Sequence, residues 1–208
     1  HGRVVAFGYD EHEVWFSFMF GEGGDDYLPL SDPNGITTVR ERDGVDYIYI
    51  CDEFFHTRDD LASRCVKFTL EGKFVSQFRR VGGPGPGHEL LWPQGIASDS
   101  RGNIYLANTG HYEVLKISTD WPIVDECVQA PHETVMLHQH GKPTGIGKFN
   151  VMRSVCVIGD RVFVPGHIEN AIAVYNLEGE LVTVVNGLRP LWNHRMEPVS
   201  SMSDLVYG

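Results

Sequence analysis

Apolar residues in this chain come in short runs, most of them alternating with polar or small residues. Tyr47-Ile48-Tyr49-Ile50-Cys51, Ile104-Tyr105-Leu106-Ala107 and Arg161-Val162-Phe163-Val164 are runs of this kind, each closed by Asp, Asn or Pro. Runs of about four to eight residues, rich in aromatic and β-branched side chains and bounded by turn residues, predict strands. The turns are signalled by Glu71-Gly72, Ser100-Arg101-Gly102-Asn103, Gly159-Asp160 and Glu178-Gly179. Glycine at these places permits the positive φ of a hairpin turn. Within a strand such as 104–107, both the Tyr105/Ala107 face and the Ile104/Leu106 face are apolar, which predicts a sheet covered on both sides. No apolar run approaches the roughly 18 residues of a membrane helix.

The runs repeat. One unit opens Pro33-Asn34-Gly35-Ile36, continues through 47–52 and 64–68, and ends at Gly72-Lys73-Phe74-Val75. A second opens Pro93-Gln94-Gly95-Ile96-Ala97 and runs through Gly102-Asn103-Ile104-Tyr105-Leu106-Ala107-Asn108-Thr109 to Val114-Leu115-Lys116-Ile117. A third takes Ser154–Ile158, Arg161–Val164, Ala171–Tyr175 and Gly179–Val182, and Pro143-Thr144-Gly145-Ile146 lies just upstream of it. Each unit reads as four strands joined by turns, the sequence signature of a propeller blade.

Pro93 to Thr109 closely resembles the NHL repeat, whose pattern opens Pro-x-Gly-Ile-Ala and continues Asp-x-x-Gly-Asn-Ile-Tyr. The resemblance spans about residues 33 to 187. It implies an all-β β-propeller of four-stranded antiparallel blades and does not imply one activity. The ends of the chain complete the pattern. Met196–Tyr207 aligns without gaps on Met152–Phe163, so it reads as the first two strands of a blade. Arg3–Phe7 resembles Ala171–Tyr175, and Val14–Phe18 reads as the outer strand that follows. The expectation is a single domain over 1–208 of about four blades: 1–20 with 196–208, then 33–83, 93–130 and 143–187. Val4, Val5, Phe7, Val199, Met202, Leu205, Val206 and Tyr207 are the expected closure or assembly residues. An unpaired strand edge recruits other chains, and three outcomes stay open: closure within one chain, membership of a longer propeller, or completion by the next copy.

Charge and chemistry refine this picture. A net charge of −11 opposes binding to phosphate backbones, so nucleic acid is not an expected partner; Arg79-Arg80 is the one basic pair singled out. The chain begins at His1, which reads as a processed N-terminus or a fragment, and the expected location is secreted or extracellular. Cys51 and Cys65 flank a hairpin loop, which makes them a candidate disulfide or a pair of buried thiols; Cys127 and Cys156 show no CxxC spacing. His138-Gln139-His140 sets two imidazoles on one face if extended. With His132 they are candidate ligands for zinc or copper, against the alternative of a solvated loop. Asp25-Asp26, Asp43 with Asp46, and Asp59-Asp60 are acidic pairs that suit calcium or simple solvation. His88 follows a Gly-Pro-rich linker, and His111 and His167 hold equivalent loop positions. Trp15, Trp92, Trp121 and Trp192 are expected to fill the interfaces between units.

Two functional classes compete. The first is a non-enzymatic structural or protein-binding propeller that assembles with itself, head to tail, into a filament or ring by strand complementation. The second is a metal-dependent lyase or hydrolase resembling peptidylglycine amidating lyase, an NHL-type enzyme. Against the second, the residues after Pro33, Pro93 and Pro143 are Asn34, Gln94 and Thr144, where the resemblance leads one to seek a metal-binding histidine. No catalytic residue is assigned.

Overall fold

The computed structural model describes residues 2–53, 63–83, 87–129, 133–137, 152–166 and 171–185. It is all-β, with antiparallel sheets and one 3-10 turn, Thr109–His111, among the described residues. A hairpin of β1 (Val4–Tyr9) and β2 (Val14–Phe20) comes first. The first four-stranded sheet follows: β3 (Pro33–Arg40), β4 (Asp46–Asp52), β5 (Arg64–Thr69) and β6 (Phe74–Phe78), paired in chain order. After the two-residue β7 (Arg80–Val81) comes the second sheet, with β8 (Pro93–Ser98), β9 (Asn103–Asn108) and β10 (Glu113–Ser118).

A short hairpin, β11 (Ile123–Val124) and β12 (Cys127–Val128), interrupts that sheet before its fourth strand, β13 (Glu133–Leu137), which lies beyond the boundary expected at residue 130. Asp125 and Glu126 both adopt positive φ, 49° and 57°, at its turn. β12 pairs parallel with β7. The third sheet is β14 (Cys156–Ile158), β15 (Arg161–Gly166), β16 (Ala171–Asn176) and β17 (Leu181–Val185). The turns read from sequence hold: Gly72, Gly102, Gly159 and Gly179 all carry positive φ.

Burial follows the two-residue strand period. In the first sheet Ile48, Ile50, Val66 and Phe68 face the hairpin and meet Phe20 and Leu30. Their neighbours Tyr49, Cys51 and Cys65 point the other way, onto Ile96, Ile104 and Leu106 of the second sheet. The second sheet's opposite face, Tyr105, Ala107 and Val114, packs on Val162, Val164 and Ala173 of the third. Hairpin and sheets therefore stack in chain order, each core layer shared by two neighbours, and each fully buried Ile, Val or Phe contributes about 1.5–3 kcal/mol.

The first strands of successive sheets adjoin most closely. A Cβ on Gly35 would sit 2.4 Å from the Gln94 carbonyl oxygen, and one on Gly95 would sit 2.6 Å from the Ser154 Cα. The glycine of each Pro-x-Gly opening is thus where backbone meets backbone, which no side chain survives. Trp15, Trp92 and Trp121 depart from expectation. Each is 45–46% exposed, and the layers between sheets are filled instead by aliphatic residues with Phe20, Tyr49, Phe68, Phe78 and Tyr105; Trp192 lies outside the described residues.

Candidate functional site

Two regions stand out. The first lies where the opening strands of the sheets converge, and it grows from the last residue of each second strand. In the first sheet this is Asp52. Its Oδ1 accepts from the Ser31 and Asp32 amides at 2.8 and 2.9 Å, and its Oδ2 accepts from Arg64 Nε at 2.8 Å. Arg64 is 2% exposed, and its guanidinium also donates to Gln77 Oε1 and to the Leu28 and Pro29 carbonyls. Every direction of the fork is matched, as a buried cation requires. In the second sheet the equivalent residue is Asn108, whose Oδ1 accepts from the Leu91 amide at 2.7 Å and whose Nδ2 donates to Glu113 Oε1 at 2.7 Å.

Glu53 follows Asp52 and is 1% exposed. Its Oε2 accepts from Asn34 Nδ2 at 2.8 Å and from Gln94 Nε2 at 3.0 Å. One carboxylate thus joins the opening positions of the first and second sheets. Its Oε1 is buried and has no hydrogen-bond partner among the described residues. Burial pushes the Glu53 carboxyl above the ordinary glutamate range; the Gln94 amide opposes the rise, Asp32 reinforces it, and Arg153 and Asn34 oppose it. Between the second and third sheets, Thr109 Oγ1 donates to the Met152 carbonyl at 2.5 Å. The arrangement is a polar seam that ties the sheets at one end.

The second region is the β1–β2 hairpin. Val4/Phe20 and Ala6/Phe18 are paired across it on the side that packs on the first sheet. Val5/Met19, Phe7/Phe16 and Tyr9/Val14 are paired on the opposite side, and all six are exposed, Tyr9 to 80%, Val14 to 71% and Phe7 to 60%. Phe7 and Phe16 meet edge to face, their centroids 6.5 Å apart. The hairpin has two strands where three other sheets have four and the small β11-β12-β7 sheet has three, and among the described residues the outer side of β1 has no neighbouring strand.

The residues singled out from sequence fall as follows. Val4 is half-buried against the first sheet, and Val5 and Phe7 are exposed. Val199, Met202, Leu205, Val206 and Tyr207, and the metal candidates His132, His138 and His140, lie outside the described residues. Cys51 and Cys65 stand directly opposite each other on β4 and β5, both buried, as free thiols. Burial, then the hydrogen bond with Cys65, pushes the Cys51 thiol well up.

Of the acidic pairs, Asp43 with Asp46 has local partners, and Asp59-Asp60 lies outside the described residues. Asp43 accepts from the Val45 amide and the Tyr47 hydroxyl, and Asp46 pairs with Arg40. Among the described residues no group of three His, Cys, Asp or Glu is placed to hold a metal ion. The basic pair serves the inserted hairpin: Arg79 Nε bonds Glu126 Oε2 at 2.8 Å, and Arg80 donates to the Asp125 carbonyl. His88 Nδ1 lies 2.9 Å from the Val81 carbonyl oxygen. Sequence reasoning noticed Asn34 and Gln94 only as positions lacking histidine. Their shared repeat position, together with a glutamate after Asp52, was the available signal for the Glu53 centre.

No protein-family model matches the chain, and no curated protein matches it. Solved structures that resemble it include a protein of unknown function from Bacteroides caccae, at 15% identity and TM-score 0.44, over 84% of this chain and 57% of that one. A streptogramin B lyase matches at 15% identity and TM-score 0.42, over 78% and 57%. Virginiamycin B lyase from Staphylococcus aureus, in complex with quinupristin, matches at 12% identity and TM-score 0.39, over 90% and 61%. The chain spans 57–61% of the length of these proteins. Likeness at this level carries nothing about activity, ligand or partner.

Proposed function

We propose that this chain is a non-enzymatic interaction module of β-propeller architecture, in which β1 and β2 are half of a blade completed by strand addition. The observation that carries the reading is the hairpin: two strands beside three sheets of four, with β1 unpaired on its other side among the described residues and an exposed apolar face. A half-sheet of this kind recruits a strand through its unpaired backbone groups, and alternate side chains then set specificity. Met196–Tyr207 aligns without gaps on Met152–Phe163, the stretch that opens the third sheet, and so suits the two strands that would complete the hairpin. Donated to the next copy, they give a heterologous contact, which builds a ring if the rotation closes and a filament if it does not.

Size-exclusion chromatography with light scattering, run beside negative-stain microscopy, tests the reading. The chain is expected to form concentration-dependent oligomers, and deletion of 196–208 to reduce them to monomers. Adding the deleted segment back as a peptide should restore a complex of one peptide per chain. Oligomers that persist after the deletion would overturn head-to-tail exchange. A monomer before and after it, with no peptide uptake, would overturn strand addition altogether.

A further inference from the structure

Away from the polar seam and the hairpin, the first and second sheets part at their outer edge around a cavity of about 250 Å³. Register explains its position. Thr37, Tyr49, Lys67 and Ser76 are successive cross-strand partners, so they form one row across the whole first sheet. Ser98, Ile104 and Ile117 form the facing row across the second sheet. The rows touch at their inner end, where Thr37 Oγ1 donates to Ser98 Oγ at 3.2 Å. Toward the outer strands they diverge, and the inserted hairpin brings Ile123 and Val128 up as a further wall. Trp121 stands in the lining, 45% exposed although every sequence cue places a tryptophan in the interior.

The chemistry of the lining is specific. Lys67 Nζ is held by Glu41, at 2.7 and 2.8 Å from its two carboxylate oxygens, and lies 3.7 Å from the centroid of the Tyr47 ring. Glu41 also accepts from the Tyr49 hydroxyl. The charged groups are therefore matched to one another, and a second charge entering beside them would meet a like charge as well as an opposite one. Ser76 is half-buried in the lining and has no hydrogen-bond partner among the described residues. The rest of the lining sets Phe78, Ile104, Ile117 and Trp121 beside Ser118 and Thr119, whose hydroxyls are already engaged with the Asp120 amide and the Gly102 carbonyl.

We propose that this cleft binds a small, neutral aromatic molecule of about two fused rings, packed on Trp121 and Phe78 and bonded through one polar atom to Ser76. The size follows from volume, since an apolar cavity of about 150 Å³ holds a single benzene ring. The site depends on neither strand addition nor the state of the chain ends. Indole is the probe. Calorimetric titration of the full chain is expected to give saturable binding with a dissociation constant at or below about 1 mM, within reach of a ligand of this size. Tryptamine and indole-3-carboxylate, which add a charge of either sign, are expected to bind at least about tenfold more weakly.

Ser76→Phe fills the cleft and should abolish binding. Trp121→Ala removes an exposed ring, should leave the thermal midpoint in place, and should weaken indole at least about fivefold. Should Ser76→Phe fail to fold, Trp121→Ala decides alone. No saturable signal with indole, or indole binding unchanged in Trp121→Ala, would overturn the site. Charged analogues binding as well as indole would overturn the neutral-ligand assignment.

Discussion

At one register position the first sheet sets Asp52 against Arg64, and the second sets Asn108 against Glu113. The backbone task is the same. Each Asx side chain catches the amides of the segment entering its sheet, Ser31 and Asp32 in one case and Leu91 in the other. The partner chemistry differs: a buried ion pair in the first, an amide donating to a carboxylate in the second. The third sheet has Gly166 against Ala171 at the matching place, with no polar pair. A repeat therefore conserves the geometry of its strands without conserving how their ends are neutralised, and each sheet's sensitivity to substitution should differ accordingly.

Arg64→Ala should have the largest effect. It strands the Asp52 carboxylate in the interior and frees the Leu28 and Pro29 carbonyls, a loss of about 3–5 kcal/mol for breaking one side of a buried pair. Urea denaturation reads it, and a loss below about 1 kcal/mol would show that the pair is not structural. Asn108→Asp comes next. It places a second carboxylate against Glu113 and removes the amide donor, at about 2–3 kcal/mol near neutral pH. Adding Glu113→Arg converts the second sheet's pair into the first sheet's, and should recover at least half of that loss in a double-mutant cycle.

Glu53→Gln probes the carboxylate shared by both sheets. Because burial raises the folded-state pKa of Glu53, its contribution is full below the unfolded value and is lost as pH rises through the folded one. The variant should thus gain stability at neutral pH and none in acid. Equal gains at both pH values would assign the effect to packing instead. Smallest of all, Cys51→Ala with Cys65→Val copies the Ala107/Val114 pair that occupies the same register in the second sheet. A volume-conserving exchange of this kind should cost less than about 1.5 kcal/mol. Native thiol titration of the unmodified chain should meanwhile find Cys156 fast and the three buried thiols slow.

Much of the fold was legible because strand period and turn chemistry are local. The alternation at 47–51 and 104–107, with glycine at Gly72, Gly102, Gly159 and Gly179, specified both strands and turns. The inserted hairpin was not legible. Its strands are two residues each, and its turn uses Asp125 and Glu126 at positive φ, without the glycine or asparagine that announces such a turn. The tryptophans misled because size and apolarity favour the interior, whereas Trp15, Trp92 and Trp121 stand outside the layers between sheets, where Tyr49, Phe68, Phe78 and Tyr105 are the large residues packed among the aliphatic ones. The Glu53 centre depended on three residues that different loops and strands deliver. Asn34 and Gln94 share a repeat position, but nothing local says that both amides turn toward one carboxylate.

The parallel contact between β7 and β12 joins the stretch that follows the first four-stranded sheet to the hairpin inserted in the second, in a small three-stranded sheet with β11. Gly82 N–H donates to the Val128 carbonyl at 2.9 Å, and Arg79 N–H to the Glu126 carbonyl at 2.8 Å. The ladder hydrogen bonds of each antiparallel meander are otherwise internal to it, and the core layers between neighbouring sheets are built of side chains. With this strap in place the first two cannot separate without breaking it, and they form one cooperative unit in native-state hydrogen exchange. The amides of Gly82 and Arg79 should then exchange at the rate of the buried strand amides beside them, rather than at the rate of surface loops.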